Sequence, residues 1–207
     1  MDNDTLRRGK PTTWYVYGEA MGTLAGDGLV LEALTVAGRA VGQSRHPERA
    51  ARALAILGEK SGVCGMLGGQ SVDVEKTGER LDATTLDFIY RLKTGALLEA
   101  AFMMGAALGG ASEAEISCAE QIGRAVGLAF QIQDDILDET ATEAELGKPL
   151  HSDEKNQKTT YVSLFGLEAA REAVRQQSEA AEQRLREFPG ETETLAALIA
   201  YLTDRRF

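Results

Sequence analysis

The residues with the clearest chemistry in this sequence are three aspartates at the end of an otherwise apolar helical run, residues 130–138. Asp134 and Asp138 share a helix face, Asp135 lies on the flank, and Gln131 lies one turn earlier on the same side. Carboxylates this close repel one another unless a cation lies between them. Mg²⁺ fits, because it binds few protein ligands and keeps positions for water and phosphate oxygens. The pattern therefore predicts a metal-bridged diphosphate, with Asp134 and Asp138 as ligands.

A solvated helix end is the simplest alternative explanation for such a cluster, and two features speak against it. Acidic side chains at the C-terminal end of a helix oppose the helix dipole, so a structural cap would favour Lys or Gly there. The aspartates are also interleaved with Ile132, Ile136 and Leu137, which fits a partly buried helix better than a free surface. We therefore prefer the metal interpretation.

The overall composition is that of a globular protein with an excess of acidic residues. The chain of 207 residues contains 32 Asp and Glu against 22 Lys and Arg, which gives a net charge of −10. This charge argues against a nucleic-acid partner or an anionic membrane surface, so basic clusters indicate local anion sites. No segment resembles a signal peptide, and apolar runs such as 100–109 are too short to span a bilayer. We expect a cytoplasmic location, no stable membrane insertion, and buried, reduced thiols at Cys64 and Cys118.

The spacing of apolar residues is helical almost throughout the chain. It predicts a first long helix over about residues 13–40 and a second over about 47–68. Gly18, Gly22 and Gly26 recur every four residues in the first helix. Since glycine weakens a helix, we expect a neighbouring helix to cross this stripe closely.

Later segments carry start and stop signals for further helices. Thr84 and Ser112 each precede an acidic residue by three positions, a spacing that predicts capping boxes. The polar stretch 139–157 is long for a loop in a compact domain, which indicates a functional segment. The remainder predicts two charged amphipathic helices that are broken at Pro189-Gly190. We therefore expect one all-α domain over residues 1–207.

Lysines occur in a few specific contexts close to these polar segments. Lys93 interrupts an apolar helix, and a buried cation there needs an anionic partner. Gly95, two residues later, permits a local kink that would free a backbone carbonyl. Lys148 and Lys158 flank the polar stretch after the aspartates. A diphosphate bound by Mg²⁺ to Asp134 and Asp138 would supply the partner that Lys93 needs, whereas a solvated surface position is the simpler interpretation of Lys148 and Lys158.

Two other polar groups have open interpretations. Arg7 and Arg8 lie just before the first long helix, in a short basic run. Gln70 and Asp73 follow an apolar helix, and an interhelical hydrogen bond or a cap explains that pair at least as well as a binding role.

Six segments, taken together, resemble the trans-prenyl diphosphate synthases, specifically the farnesyl diphosphate synthase (geranyltranstransferase) branch. They are residues 1–12, 17–20, 68–73, 93–97, 130–138 and 147–161. They occur in the order found in the family and extend over essentially the whole chain. The resemblance implies the all-α isoprenoid synthase helical bundle.

The resemblance also shows a departure at the N-terminus. The family's first aspartate-rich motif begins before the position of Met1, and only its last aspartate, Asp2, is present here. The helices that precede that motif in the family are missing as well. We therefore expect an N-terminally truncated synthase, incomplete and possibly inactive, with a partial polyprenyl synthetase domain.

The resemblance implies a Mg²⁺-dependent condensation of an allylic diphosphate (dimethylallyl or geranyl) with isopentenyl diphosphate, giving geranyl or farnesyl diphosphate. It implies that Mg²⁺ is bound by Asp2, Asp134 and Asp138, and that Arg8 binds isopentenyl diphosphate. The positive charges that it assigns to the leaving diphosphate belong to Arg7, Lys93, Lys148 and Lys158. It places the carbonyl near Lys93-Thr94 and the side chain of Gln131 against the developing allylic cation. The family usually forms homodimers, and product length depends on residues before the first motif.

Three alternatives to a prenyl diphosphate synthase were compared with the sequence. A non-catalytic synthase-like subunit that modulates a partner would explain the incomplete first motif, although it would not need the second motif and its lysines. A terpene cyclase shares the fold, but the basic run before the first long helix and the second aspartate motif favour chain elongation. A di-iron carboxylate bundle is disfavoured because the sequence has no Glu-x-x-His pair.

Overall fold

The computed structural model describes residues 4–7, 9–140 and 158–203, and helices dominate these ranges. The helices are α1 (Thr13–Tyr17), α2 (Glu19–Gln43), α3 (Pro47–Ser61), α4 (Met66–Glu75), α5 (Ala83–Ile89), α6 (Ala96–Gly109), α7 (Glu113–Thr140), α8 (Tyr161–Phe165), α9 (Leu167–Glu187) and α10 (Glu193–Thr203). A π-helical turn, Tyr90–Gly95, joins α5 to α6. Two short strands, Leu6–Arg7 and Lys10–Pro11, pair antiparallel in front of α1. The predicted all-α class is therefore confirmed.

Glycine breaks the two long N-terminal helices that the sequence pattern predicted as continuous. Gly18 separates α1 from α2, and its φ of 87° is one that residues with a side chain rarely adopt. The second predicted helix divides into α3 and α4 around Gly62 and Gly65. The expected close crossing along the glycine stripe was wrong for Gly26, which has open space around it, while Gly22 packs against α1.

The helix caps match the sequence signals in part. Ser112 forms the expected capping box with Glu115, because each side chain bonds the other residue's backbone N–H. The box expected at Thr84 was wrong: Asp82 caps α5, with its carboxylate accepting from the Thr85 N–H at 2.8 Å. Thr160 forms a capping box that starts α8. The cysteines are both free, but Cys64 is exposed rather than buried as expected.

Helix α7 is the centre of the packing, because it contributes to all three clusters of buried apolar side chains. Ile132 and Ile136 pack with α5, α8 and α9, Ile122 and Val126 pack with α9 and α10, and Ile116 packs with α3 and α6. The carboxyl-terminal half of α7, where the aspartates lie, is therefore held rigidly against the π-helical turn and the start of α8.

A buried ionic network ties α3, α6 and α7 together. Glu99 of α6 is only 3% exposed, and it accepts hydrogen bonds from Lys60 of α3 and, at 3.0 Å, from Arg124 of α7. Lys60 also donates to Glu120 at 2.6 Å. Burial lowers the pKa of Lys60, but the hydrogen bonds with Glu120 and Glu99 outweigh it and hold that pKa above its ordinary value. Lys60 therefore stays charged although its side chain is only 14% exposed, whereas Arg124 reaches Glu99 from the surface with a side chain that is 48% exposed.

Removal of the central carboxylate should destabilise the fold strongly. We expect Glu99→Ala to lower the free energy of unfolding by about 3 kcal/mol, because the largely buried ammonium group of Lys60 loses one of its two carboxylate partners. Urea denaturation measures the change. Glu113→Ala is the matched control, since it breaks the exposed pair with Arg52 at 2.7 Å and should have a far smaller effect. Equal losses in the two variants would contradict a structural role for the buried network.

Helix α2 presents apolar side chains that nothing in the described part of the chain covers. None of its residues is buried, and Leu24, Leu29 and Leu31 are among its exposed side chains. By length and composition alone this helix could cross a bilayer, which the search for unbroken apolar runs did not anticipate. It carries Asp27 and Glu32 near its middle, however, and charged groups at that depth of a bilayer are costly. An apolar surface of this kind is typical of an interaction site between helices or chains.

Candidate active site

A polar cleft lies where α4, the π-helical turn, α7 and the segment before α8 meet. Its volume is about 70 Å³. The predicted site residues Lys93, Thr94, Gln131 and Lys158 all line it. The π-helical turn supplies the first two, and such turns occur frequently at functional sites because they alter the direction of side chains within a helix. The sequence prediction of a local distortion at Gly95 is therefore confirmed.

Two lysines from distant parts of the chain converge on one carboxylate in this cleft. Asp73 Oδ2 lies 2.7 Å from the Nζ of Lys93 and 3.6 Å from the Nζ of Lys158. Asp73 was left open in the sequence analysis between a structural bond and a binding role. Its position shows that the two cations lie close enough to act on the same anion.

Gln131 links the π-helical turn to the buried acid of the aspartate cluster. The Thr94 hydroxyl donates to Gln131 Oε1 at 2.7 Å, and Gln131 Nε2 donates to Asp135 Oδ1 at 3.4 Å. Asp135 is 4% exposed. Its Oδ2 accepts from the Tyr90 hydroxyl at 2.5 Å and from the Tyr161 N–H at 2.8 Å. Asp135 therefore holds together α7, the π-helical turn and the start of α8.

Glycines allow the backbones around the cleft to approach closely. A Cβ on Gly69 of α4 would lie 2.3 Å from the backbone N of Lys93, and a Cβ on Gly127 of α7 would lie 2.9 Å from the Cα of Gly95. Both distances are too short for a side chain. The absence of side chains at Gly69 and Gly127 thus determines how near Lys93 lies to its neighbours.

A methyl group at the tighter of these contacts should be poorly tolerated. We expect Gly69→Ala to lower the free energy of unfolding by about 3 kcal/mol, because the methyl meets backbone atoms rather than a flexible side chain. Gly58→Ala is the matched control within α3, where a Cβ would meet nothing within 4 Å. There we expect a gain of about 0.5–1 kcal/mol from helix propensity. Thermal and urea unfolding of both variants provide the comparison, and an unaffected Gly69→Ala protein would disprove the close approach.

The two aspartates predicted to bind metal lie on α7 near the cleft, but outside the set of residues that line it. Asp138 is 6% exposed and Asp134 is half-buried. Among the described residues, no group of three His, Cys, Asp or Glu side chains has the arrangement of a metal site. Asp2, Arg8 and Lys148, together with most of the polar stretch 139–157, lie outside the described residues.

Unlike Arg8, Arg7 is among the residues that the structure describes. It is exposed on the first short strand, and it does not belong to the lining of the cleft. The structure therefore brings together Lys93, Thr94, Gln131 and Lys158, and leaves the predicted role of Arg7 without a contact to support it.

Comparison with known proteins identifies the family of the chain. The model of one family, described as Polyprenyl synthetase, matches residues 1–202. The chain belongs to the polyprenyl synthetase family. A farnesyl diphosphate synthase from Geobacillus stearothermophilus is 41% identical over 186 residues, which are 90% of this chain and 63% of the relative. The large subunit 2 of a heterodimeric geranylgeranyl pyrophosphate synthase from Arabidopsis thaliana is 40% identical, over 99% of this chain and 55% of the relative.

Solved structures of the polyprenyl synthetase family share the helical fold. A geranyltransferase from Helicobacter pylori, complexed with magnesium and isoprenyl diphosphate, superimposes with a TM-score of 0.80 at 29% identity. The match covers 98% of this chain and 64% of that protein. The recognition made from the six sequence segments is confirmed. The chain also spans less than two thirds of the length of these relatives.

Sequence reasoning missed two residues that line the cleft and one contact within it. Tyr90 and Asp135 received no role, and the pairing of Asp73 with both lysines was not anticipated. The sequence signal for Asp135 was its place directly before Ile136 and Leu137 in an otherwise apolar helical run, which favours burial. A buried carboxylate needs donors, and those donors come from residues 45 and 26 positions away in the chain.

Proposed function

We propose that the chain is the catalytic portion of a Mg²⁺-dependent prenyltransferase that condenses an allylic diphosphate with isopentenyl diphosphate to give geranyl or farnesyl diphosphate. The observation that carries this proposal is the convergence of Lys93 and Lys158 on one point, beside the hydrogen-bonded pair Thr94 and Gln131. The two ammonium groups can bind a diphosphate. The neutral oxygens of Thr94 and Gln131 beside them can stabilise the allylic carbocation that forms when the diphosphate leaves.

The lysines provide the leaving-group chemistry of the proposed reaction. Cleavage of the allylic carbon–oxygen bond develops negative charge on the diphosphate, and preorganised cations stabilise that charge most effectively in a site shielded from water. In the described structure Asp73 occupies the space between the lysines. We infer that the incoming diphosphate replaces Asp73 and binds the ammonium groups of both lysines.

Asp134 and Asp138 fit a magnesium site by their chemistry and placement. They are carboxylates one helical turn apart, on a helix whose packing holds them rigidly, and oxygen donors are the ligands that Mg²⁺ prefers. Bound there, Mg²⁺ would neutralise charge on the diphosphate. The named complex of the Helicobacter pylori protein with magnesium and isoprenyl diphosphate supports this assignment for the present chain.

The proposal retains roles for residues that the described structure does not test. Asp2 would complete the metal site, Arg8 would bind isopentenyl diphosphate, and Arg7 and Lys148 would add positive charge around the leaving group. Lys148 would do so from a lid that excludes water, which otherwise traps the allylic cation as an alcohol. These roles rest on the family resemblance.

The names of the relatives bear on the length of the product. The relatives named above make farnesyl and geranylgeranyl products by name, so the chain length is proposed at the level of short prenyl diphosphates. We propose a cytoplasmic location and one polyprenyl synthetase domain over residues 1–207.

Assembly is the second part of the proposal. The uncovered apolar side chains of α2 support a homodimer or contact with further helices. One relative is the large subunit of a heterodimer, and this favours a second candidate function: a synthase-like subunit that modulates a partner chain. The two candidates differ in whether the chain itself transfers prenyl groups.

A prenyl-transfer assay separates these candidates. Radiolabelled isopentenyl diphosphate is incubated with dimethylallyl or geranyl diphosphate and Mg²⁺, with the chain of 207 residues and with a version extended upstream in its reading frame. We expect an acid-labile prenyl product from the extended version, and its loss on addition of EDTA. Inactivity of both versions, each folded by circular dichroism, would reject the catalytic proposal and favour the modulating subunit.

A further inference from the structure

Asp135 is the buried acid of the aspartate cluster to which the proposed function gives no task. We propose that Asp135 is a positioning residue that fixes the orientation of the Gln131 amide, and thereby leaves the oxygen lone pairs of Thr94 available to the cleft. This inference rests on the proposed function, because those lone pairs matter only if a cation develops beside them. It separates Asp135 from Asp134 and Asp138, which we assign to metal.

The carboxylate of Asp135 is held in one orientation by two donors on the same oxygen. The Tyr90 hydroxyl and the Tyr161 N–H both donate to Oδ2, at 2.5 and 2.8 Å. The backbone N–H of Tyr161 can only donate, so Oδ2 is committed to this side. The remaining oxygen, Oδ1, therefore faces Gln131.

The orientation of the Gln131 amide follows from that commitment. An ionised carboxylate only accepts hydrogen bonds, so the amide must turn its NH₂ group toward Oδ1, which lies 3.4 Å away. Its Oε1 then points at Thr94 and accepts from the hydroxyl at 2.7 Å. A threonine hydroxyl has one hydrogen, and that hydrogen is used in this bond.

The consequence reaches the cleft through Thr94. With its hydrogen bonded to Gln131, Oγ1 can offer only lone pairs to a neighbouring group, and lone pairs stabilise an adjacent carbocation. With the amide reversed, the hydroxyl would accept from the NH₂ group and direct its hydrogen elsewhere, including at the cation. Asp135 is only 4% exposed, so bulk water cannot replace its carboxylate as the acceptor for the Gln131 NH₂ group.

The test exchanges the amide and the carboxylate between two positions. In Asp135→Asn the two donors retain the side-chain oxygen, so the new NH₂ group faces Gln131 and reverses its amide. We expect kcat to fall by about tenfold to hundredfold, less than the roughly 10²–10³-fold lost with a preorganised donor itself, because Asp135 acts only through Gln131. The KM for the allylic diphosphate and the Mg²⁺ concentration for half-maximal rate should remain near the wild-type values.

The double variant Gln131→Glu with Asp135→Asn keeps the net charge. The carboxylate then at position 131 can accept from the amide NH₂ group at position 135 on one side and from the Thr94 hydroxyl on the other. We expect it to recover most of the kcat lost in the single variant. A role for Asp135 as a metal ligand predicts instead a raised Mg²⁺ requirement in the single variant and no recovery in the double variant, and that result would overturn the inference. Melting temperatures of both variants serve to show that each is folded.

A second readout does not depend on turnover. Neutron diffraction distinguishes the amide nitrogen from the oxygen, and we expect Gln131 to be reversed in Asp135→Asn relative to the wild-type protein. An unchanged amide in the variant would overturn the inference whatever the rates are. Absence of prenyl transfer by the wild-type protein would instead reject the proposed function, and would leave the amide orientation as an independent result.

Discussion

Asp134→Ala should abolish prenyl transfer while the protein remains folded. We expect kcat to fall by at least about 10³-fold, because the diphosphate loses a carboxylate that binds its metal ion and much of its charge neutralisation with it. The side chain of Asp134 is half-buried at the end of a rigid helix, so the free energy of unfolding should change little. Turnover is measured with the extended protein at saturating substrates over a range of Mg²⁺ concentrations.

The control for this variant is another acid on the same helix. Glu113 begins α7, and its exposed side chain pairs with Arg52 on the surface. Glu113→Ala removes the same charge from α7 and should leave turnover unchanged. Near-normal turnover of Asp134→Ala, or an equal loss in both variants, would contradict the assigned metal role.

Lys93→Met should have the second largest effect on activity. Methionine approximates the length of lysine without its charge, so the cleft loses one of the two cations that converge on Asp73. We expect kcat/KM for the allylic diphosphate to fall by about 10²–10³-fold, the range found when one preorganised donor to a developing anion is removed. Steady-state kinetics at several concentrations of the allylic substrate measure it.

Lys76→Met provides the matched control in the same cleft. Lys76 also lines the cleft, but it pairs with Glu79 at 3.0 Å instead of Asp73. We expect its kcat/KM to stay close to that of the wild-type protein. If both lysine variants lost activity equally, the cleft would respond only to its net charge, and a specific role for Lys93 would be wrong.

The sequence predicted the parts of the fold that depend on local pattern. Apolar spacing gave α7 and its capping box at Ser112, and a glycine two residues after Lys93 indicated the distorted turn that the structure contains. The breaks at Gly18 and around Gly62 were missed, because a glycine that ends a helix and a glycine that packs within one look alike in a sequence. Only the backbone conformation distinguishes them, as the positive φ of Gly18 shows.

The candidate site could be predicted as a set of residues, but its connections could not. Lys93 and Lys158 were each proposed to bind an anion, yet their meeting at Asp73 requires contacts across 20 and 85 positions of the chain. Asp135 looked like a minor member of the acidic cluster, since helical geometry alone places it on the flank. Its hydrogen bonds with Tyr90 and Tyr161 depend on how the π-helical turn and α8 pack on α7, which tertiary structure determines.

The account depends most on the claim that these lysines and aspartates bind one diphosphate. A crystal structure of the protein with Mg²⁺ and geranyl thiolodiphosphate, which resists cleavage, tests this most directly. We expect diphosphate oxygens within hydrogen-bonding distance of the Nζ atoms of Lys93 and Lys158, Mg²⁺ on Asp134 and Asp138, and Asp135 still bonded to Tyr90. A diphosphate bound elsewhere, with both lysines still held by Asp73, would contradict the account.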